Sequence, residues 1–328
     1  MGMVGMRFTL LGVFLMSALA LAAPAALADP ADCKLAKVAE LPLRLEHNQA
    51  LVETTINGQP VRALLDTGAD LTTISKSGAE RLGLELTGND RVHGIGGEVR
   101  MGMVMVSKLA AGDWWAANTI LHVAEHDDPA AGVEMILGQD IFAQYDIELD
   151  VANGAVRFFR PRDCAGVPLA YWAQTYAQAP LRVLNGGVRR HNQVRVAING
   201  YETWALLDTG AVATQLFTRT ARRANVNEDG AGVARGPTFH GVGRKSASTW
   251  IATFDTFAIG EETIRGARLA FGDFSAGFDP DATEMFGMML GMDFIKAHRI
   301  YIANSQGSIY FTNVARPVFA PPQQAAAN

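Results

Sequence analysis

The heptapeptide Ala63-Leu64-Leu65-Asp66-Thr67-Gly68-Ala69 returns without a gap as Ala205-Leu206-Leu207-Asp208-Thr209-Gly210-Ala211, 142 positions later. No other feature constrains this chain as much. In each copy an apolar run delivers a carboxylate at the mouth of a buried strand. The glycine two residues on permits the positive φ or the close backbone approach that a sharp turn needs. At average residue frequencies, an Asp-Thr-Gly tripeptide turns up in roughly a few per cent of chains of this length. Two copies with matching flanks are far rarer. Brought together, two such turns face two carboxylates across one site.

The surroundings repeat as well. Asn57-Gly58 and Asn199-Gly200 each stand nine positions before their aspartate, and Asn-Gly between alternating runs is a strong hairpin signal. Leu51 to Ile56 and Val194 to Ile198 read as the strands leading into those turns. Ser77 to Leu82 predicts a short helix stopped by Gly83. Further on, Val92-His93-Gly94-Ile95-Gly96-Gly97 is matched by Phe239-His240-Gly241-Val242-Gly243-Arg244. Each is a glycine-rich tip between strand-like runs, read as a mobile hairpin. Met135-Ile136-Leu137-Gly138-Gln139-Asp140 is echoed by Met289-Leu290-Gly291-Met292-Asp293, each a buried strand running into a glycine and a short helix. Hairpins turning at Asn153-Gly154 and Gln306-Gly307 close the two units. The chain is therefore an internal duplication, with one lobe at 41–160 and the other at 188–315. A linker at 161–187, with a short helix near Tyr171–Tyr176, joins them, and a disordered tail is expected at 316–328.

With 328 residues and 49% apolar content, the chain suits two packed domains. Its net charge of −5 gives no basic face for a nucleic-acid partner. Arg7, the apolar run Phe8 to Ala23 and the small-residue site Ala26-Leu27-Ala28 form the pattern of a secretory signal peptide over 1–28. The competing reading, a membrane anchor, needs about 20 apolar residues, so removal is expected and no stable membrane anchor. An N-terminal arm follows at 29–40, and the mature protein is expected to be periplasmic or secreted. Cys33 and Cys164 are the only cysteines. An even count in an oxidising compartment favours a disulfide over two buried thiols.

This motif set, in this order, resembles the retropepsin-like aspartic proteases over essentially all of 41–315. The resemblance implies an all-β, two-lobed, pseudo-twofold fold, each lobe a closed β-barrel-like unit with a short helix. It matches Asp66 and Asp208 to the family's catalytic aspartates, and Thr67, Gly68, Thr209 and Gly210 to the residues supporting the loops. Ala69, Asp70 and Ala211 fall where substrate is met, and Gly94, Ile95, Gly96, Gly97, Gly241, Val242 and Gly243 match flap tips. Gly138 and Gly291 match the glycine of the supporting motif, and Thr72 and Thr214 sit six residues after their aspartates, as a family threonine does. Family enzymes are often homodimers of one such unit; here two units share a chain, implying a monomer with an intramolecular pseudo-dimer. The sequence departs from symmetry where Val212 stands opposite Asp70, and where Arg244 and Lys245 follow the second flap tip.

The chemistry implied is peptide-bond hydrolysis of a polypeptide substrate, without metal or cofactor. Two carboxylates held close cannot both ionise cheaply and so share one proton. The ionised member deprotonates a bound water while the protonated one polarises the scissile carbonyl. The alternative is a catalytically silent peptide-binding module on the same fold. Intact Asp-Thr-Gly in both halves argues against it. A metal site at His122, His126, Asp127 and Asp128 reads more simply as solvated surface. Trp114-Trp115 reads as strand packing before a binding platform, and His93 and His240 as plain hairpin positions.

Overall fold

The structure is a computed structural model and describes residues 32–94, 97–124, 132–186, 189–240, 246–273 and 286–319. The signal segment lies outside the described residues. The first lobe contains β1 (Lys34–Glu46), β2 (Gln49–Ile56), β3 (Gln59–Leu65), β4 (Thr73–Ser75), β5 (Leu86–Gly94), β6 (Gly97–Ala111), β7 (Trp114–Ala124), β8 (Met135–Leu137), β9 (Asp146–Asp150) and β10 (Ala155–Arg162). Helices α1 (Lys76–Arg81) and α2 (Gln139–Phe142) follow β4 and β8. The second lobe contains β11 (Ala177–Gly186), β12 (Arg189–Ile198), β13 (Tyr201–Leu207), β14 (Gln215–Phe217), β15 (Ala234–Arg235), β16 (Phe239–His240), β17 (Ser246–Ala247), β18 (Thr249–Ile259), β19 (Glu262–Gly272), β20 (Met288–Leu290), β21 (His298–Ala303) and β22 (Ser308–Asn313). Here α3 (Thr218–Arg223) follows β14 and α4 (Met292–Ile295) follows β20. Each lobe thus carries two short α-helices among the described residues.

Strand pairing closes a ring in each lobe. In the first, β2, β3, β8, β4, β7 and β6 pair in that order and β6 returns to β2. In the second, β12, β13, β20, β14, β19 and β18 pair in that order and β18 returns to β12. Closure leaves no free edge within the ring. The two Asn-Gly turns hold the rings in register: φ is +51° and +83° at Asn57-Gly58, and +47° and +79° at Asn199-Gly200. Both central residues in positive φ make these the turns that match strand twist.

An antiparallel sheet bridges the lobes in the order β1, β10, β9, β21, β22, β11. Its inner face carries Ile147, Leu149, Val156, Phe158, Ile300, Ile302, Ile309 and Phe311 into one hydrophobic core continuous with both barrels. The segment expected as an arm is therefore strand from Lys34 onward, because its partners on β10 are supplied by the first lobe's own closing hairpin.

The linker covers the outer face of that sheet, where Leu169, Ala170 and Trp172 pack with Phe159, Tyr301 and Tyr310. The helix expected near Tyr171–Tyr176 does not form, and turns take its place. Its aromatic residues are held one by one. Trp172 Nε1 donates to Thr312 Oγ1 at 3.0 Å, Tyr171 donates to Glu148, and Tyr176 meets Tyr310 edge-on. Tertiary contacts of this kind override a weak local helical preference. The Cys33–Cys164 disulfide closes over the same surface. Of the expected tail, residues 316–319 are described, and Phe319 is buried against Phe257 and Phe294. Among the described residues no helix is long and apolar enough to cross a membrane.

Candidate active site

Each Asp-Thr-Gly loop leaves the end of a buried strand. Leu65 on β3 and Leu207 on β13 are fully buried and face the barrel cores. β3 runs parallel to β8, and β13 parallel to β20. The ladder continues one residue further: the Asp66 amide donates to Leu137 O and the Asp208 amide to Leu290 O, both at 3.0 Å. The aspartates are thereby positioned by the last rung of a rigid sheet before the chain turns.

Threonine joins the two turns. Thr67 Oγ1 donates to Leu207 O at 2.7 Å and accepts from the Thr209 amide at 3.0 Å. Thr209 Oγ1 donates to Leu65 O at 2.6 Å and accepts from the Thr67 amide at 2.9 Å. Both threonines are fully buried. Four reciprocal hydrogen bonds in a dry environment hold the loops at one separation.

The glycines then let the carboxyls face each other. A Cβ on Gly68 would lie 2.5 Å from Asp208 Cγ, and one on Gly210 would lie 2.4 Å from Asp66 Cγ. Neither glycine has positive φ, so close approach is what requires glycine here. Asp66 Oδ1 accepts from the Gly68 and Ala69 amides at 2.9 and 3.0 Å. Asp208 Oδ1 accepts from the Gly210 and Ala211 amides at 2.9 and 3.2 Å. The two carboxyls also hydrogen-bond each other. Burial raises the pKa of both. For Asp208 the rise is large, and the Asp66 charge and hydrogen bond add to the effect of burial. Such a pair retains one proton well above the usual carboxylate range.

Beneath each loop lies a second repeated constellation. Thr72 donates through its amide (2.9 Å) and Oγ1 (2.7 Å) to Asp140 Oδ1, while Thr72 Oγ1 accepts from the Gly138 amide at 3.1 Å. Thr214, Asp293 and Gly291 repeat this at 2.8, 2.6 and 3.0 Å. Burial raises the pKa of Asp140 and of Asp293. Gly138 and Gly291 approach the loops too closely for a side chain, with a Cβ 2.6 Å from Leu71 C and from Ala213 C. Asp140 and Asp293 received no role from the sequence, although each stands two residues after its glycine in both repeats. That matched spacing was the available signal. Gln139 was also missed; its amide donates to Thr67 O at 2.7 Å.

Of the expected flap residues, Gly94 and Gly97 face each other at the end of the β5–β6 hairpin. Ile95, Gly96, Gly241, Val242 and Gly243 lie outside the described residues. Ala69 and Ala211 line the two loops beside the carboxyls, and Asp70 continues the first loop, with its carbonyl accepting from the Asp140 amide. Val212 at the corresponding place is exposed, and its carbonyl accepts from Asn48 on the first lobe.

His126, Asp127 and Asp128 lie outside the described residues. His122 is buried with Asp90 3.7 Å away, and no group of three or more metal-ligating side chains occurs among the described residues. Trp114 packs into the core, donating to Tyr145 OH. Trp115 stays on the surface beneath Lys108, so the strand-packing expectation holds for one indole of the two.

A family model described as aspartyl protease matches residues 52–141 and again 194–294, taking in both Asp-Thr-Gly loops. The protein DNA-DAMAGE INDUCIBLE 1 of Arabidopsis thaliana is 28% identical over 152 residues, covering 39% of this chain and 36% of that protein. The UBA domain-containing protein Mud1 of Schizosaccharomyces pombe is 31% identical over 110 residues, 32% of each. The chain thus spans about a third of the length of these curated relatives. Among solved structures, the aspartic proteinase from Irpex lacteus superposes with a TM-score of 0.55 at 12% identity, covering 86% of this chain and 98% of that one. This is a likeness of fold.

Proposed function

This chain belongs to the retropepsin-like aspartyl protease family, and from that premise we propose that it is an aspartic endopeptidase whose Asp66 and Asp208 form one catalytic dyad. The observation that carries the reading is the meeting of two mutually hydrogen-bonded carboxyls, one from each lobe, on loops tied by the fully buried Thr67 and Thr209. A water between them loses a proton to the ionised carboxylate as it attacks the scissile carbonyl. The protonated carboxyl donates to that carbonyl oxygen, and a proton then passes to the leaving amine. The glycine-rich hairpins close over an extended peptide and exclude bulk water. Because one chain supplies both aspartates, the active form is a monomer.

We place the enzyme in an exported, oxidising compartment, periplasmic or extracellular. The signal-peptide pattern of the sequence over 1–28 and the Cys33–Cys164 disulfide support this location.

Purified mature protein, incubated with a diverse peptide library from about pH 3 to 8, is expected to cut peptides. Asp66→Asn and Asp208→Asn are each expected to cut none. Folded protein that binds peptides and cleaves none at any pH overturns the assignment in favour of a binding module.

A further inference from the structure

The two loops share a backbone and differ in one buried side chain beneath it. After Gly138 stands Gln139; after Gly291 stands Met292. Both side chains are fully buried, and both backbone amides donate to the alanine of their own loop, Ala69 O and Ala211 O, at 2.8 Å. Only glutamine adds a further bond, from Nε2 to Thr67 O at 2.7 Å. Facing a carbonyl identifies that atom as the amide nitrogen, since two oxygens there would repel. Gln139 holds this orientation although its own Oε1 has no partner.

The bonded carbonyl belongs to the Thr67–Gly68 peptide. The N–H of the same peptide is the one that Gly68 donates to Asp66 Oδ1 at 2.9 Å. A donor on the oxygen of a peptide polarises it and strengthens its N–H, so the three groups form a chain: Gln139 amide, Thr67–Gly68 peptide, Asp66 carboxylate. The Thr209–Gly210 peptide makes the matching 2.9 Å bond to Asp208, but Met292 has no donor to place behind it.

We propose that Gln139 is a positioning residue that breaks the symmetry of the dyad, favouring the ionised form at Asp66 and leaving the shared proton on Asp208. This deepens the protease reading and rests on it for its catalytic meaning. It assigns Asp66 as the base toward water and Asp208 as the acid toward the carbonyl. Asp70, in the first loop, acts the other way by raising Asp66. Asp140 lies beneath that loop with His122 beside it, and Asp293 lies beneath the second with Lys296 beside it. None of these groups changes in the variants below, so their contributions cancel between proteins.

The test exchanges the two side chains. Carboxyl resonances of ¹³C-labelled aspartate are titrated in the parent, in Gln139→Met, in Met292→Gln and in the double exchange, with near-UV circular dichroism reporting the fold. In the parent, Asp66 is expected to be the more acidic partner. Gln139→Met narrows the separation by roughly a few tenths of a pH unit, as expected from losing the cooperative part of one charge-assisted hydrogen bond. Met292→Gln narrows it from the other side, and the double exchange moves the bias toward Asp208. If Gln139→Met does not fold, Met292→Gln carries the test alone. An unchanged separation in the folded variants, or Asp208 as the more acidic partner in the parent, overturns the proposal. Peptide cleavage by the same samples is scored separately. Cleavage with unaltered titration removes the role of Gln139 and keeps the protease. Altered titration without cleavage does the reverse.

Discussion

The two lobes present the same backbone to the site and different side chains behind it. Both loops leave a fully buried leucine, both glycines abut the opposite carboxyl, and both threonines reach across to the other lobe. Beneath each loop the threonine–aspartate–glycine constellation repeats too, but the side chains beside it diverge. The first loop rests on a hydrogen-bonding glutamine and continues into Asp70; the second rests on a methionine and continues into the exposed Val212. The loops between the lobes differ too: Lys296 of the second lobe donates to Asn48 of the first, which donates to Val212 O. The difference teaches that pseudo-symmetry is retained where the two copies hydrogen-bond each other. There, a change on one side leaves a buried polar group unmatched on the other.

The comparison breaks most severely at the carboxyls. Replacing either Asp66 or Asp208 with asparagine is expected to lower kcat/KM by at least about 10³-fold, because members of one catalytic unit fail together. Equal loss in steady-state assays supports one fused dyad. Unequal loss, with sedimentation showing a dimer, points to a site assembled from two chains.

Symmetry itself is tested one layer down. Thr67→Val and Thr209→Val each strip the partner loop of a carbonyl donor and an amide acceptor in a fully buried place. Each is expected to cost about 2–6 kcal/mol, from two buried unsatisfied groups at roughly 1–3 kcal/mol each. Urea unfolding should return matching values for the two variants, since the bonds are reciprocal. A difference well beyond measurement error would show that one lobe carries the junction.

The pH dependence of stability tests the facing pair next. An aspartate whose pKa is raised by folding binds its proton more tightly in the folded state. Its contribution is therefore present below the unfolded value and is lost as pH rises through the folded one. Burial raises both carboxyls of the facing pair. Asp208→Asn should stabilise the protein at neutral pH by about 1.4 kcal/mol for each pH unit of displacement removed. It should also flatten the fall in stability between acid and neutral pH, and Asp66→Asn should act in the same direction. Thermal unfolding of both variants at several pH values checks this. Smallest is the exchange of Gln139 and Met292, which sharpens the comparison by a few tenths of a pH unit.

Much of this molecule is written locally. Asn57-Gly58 and Asn199-Gly200 announce their turns because few other residue pairs accept positive φ twice. The strands reveal themselves through alternation, and Gly83, at φ +65°, ends α1 where the pattern stops. The duplication exposes the paired aspartates, since a shared spacing is visible without any structure. Other features were hidden because their partners are distant in the chain. Gln139 reads as one more residue of a short helix until Thr67 O, 72 positions away, comes within 2.7 Å. Tyr171 and Trp172 look mildly helical until Glu148 and Thr312 take hold of them.

The sequence by itself determined the two lobes, the carboxylate at the end of each strand and the glycine beside it. Those features follow from period-two alternation, from turn chemistry and from repetition, all of which act over a few residues. Only the tertiary structure decided that Glu148 and Thr312 hold the linker's aromatic residues, and that one loop is polarised from beneath and the other is not. Those outcomes depend on closing two barrels onto a common sheet, and contacts made by that closure have no signature in local sequence.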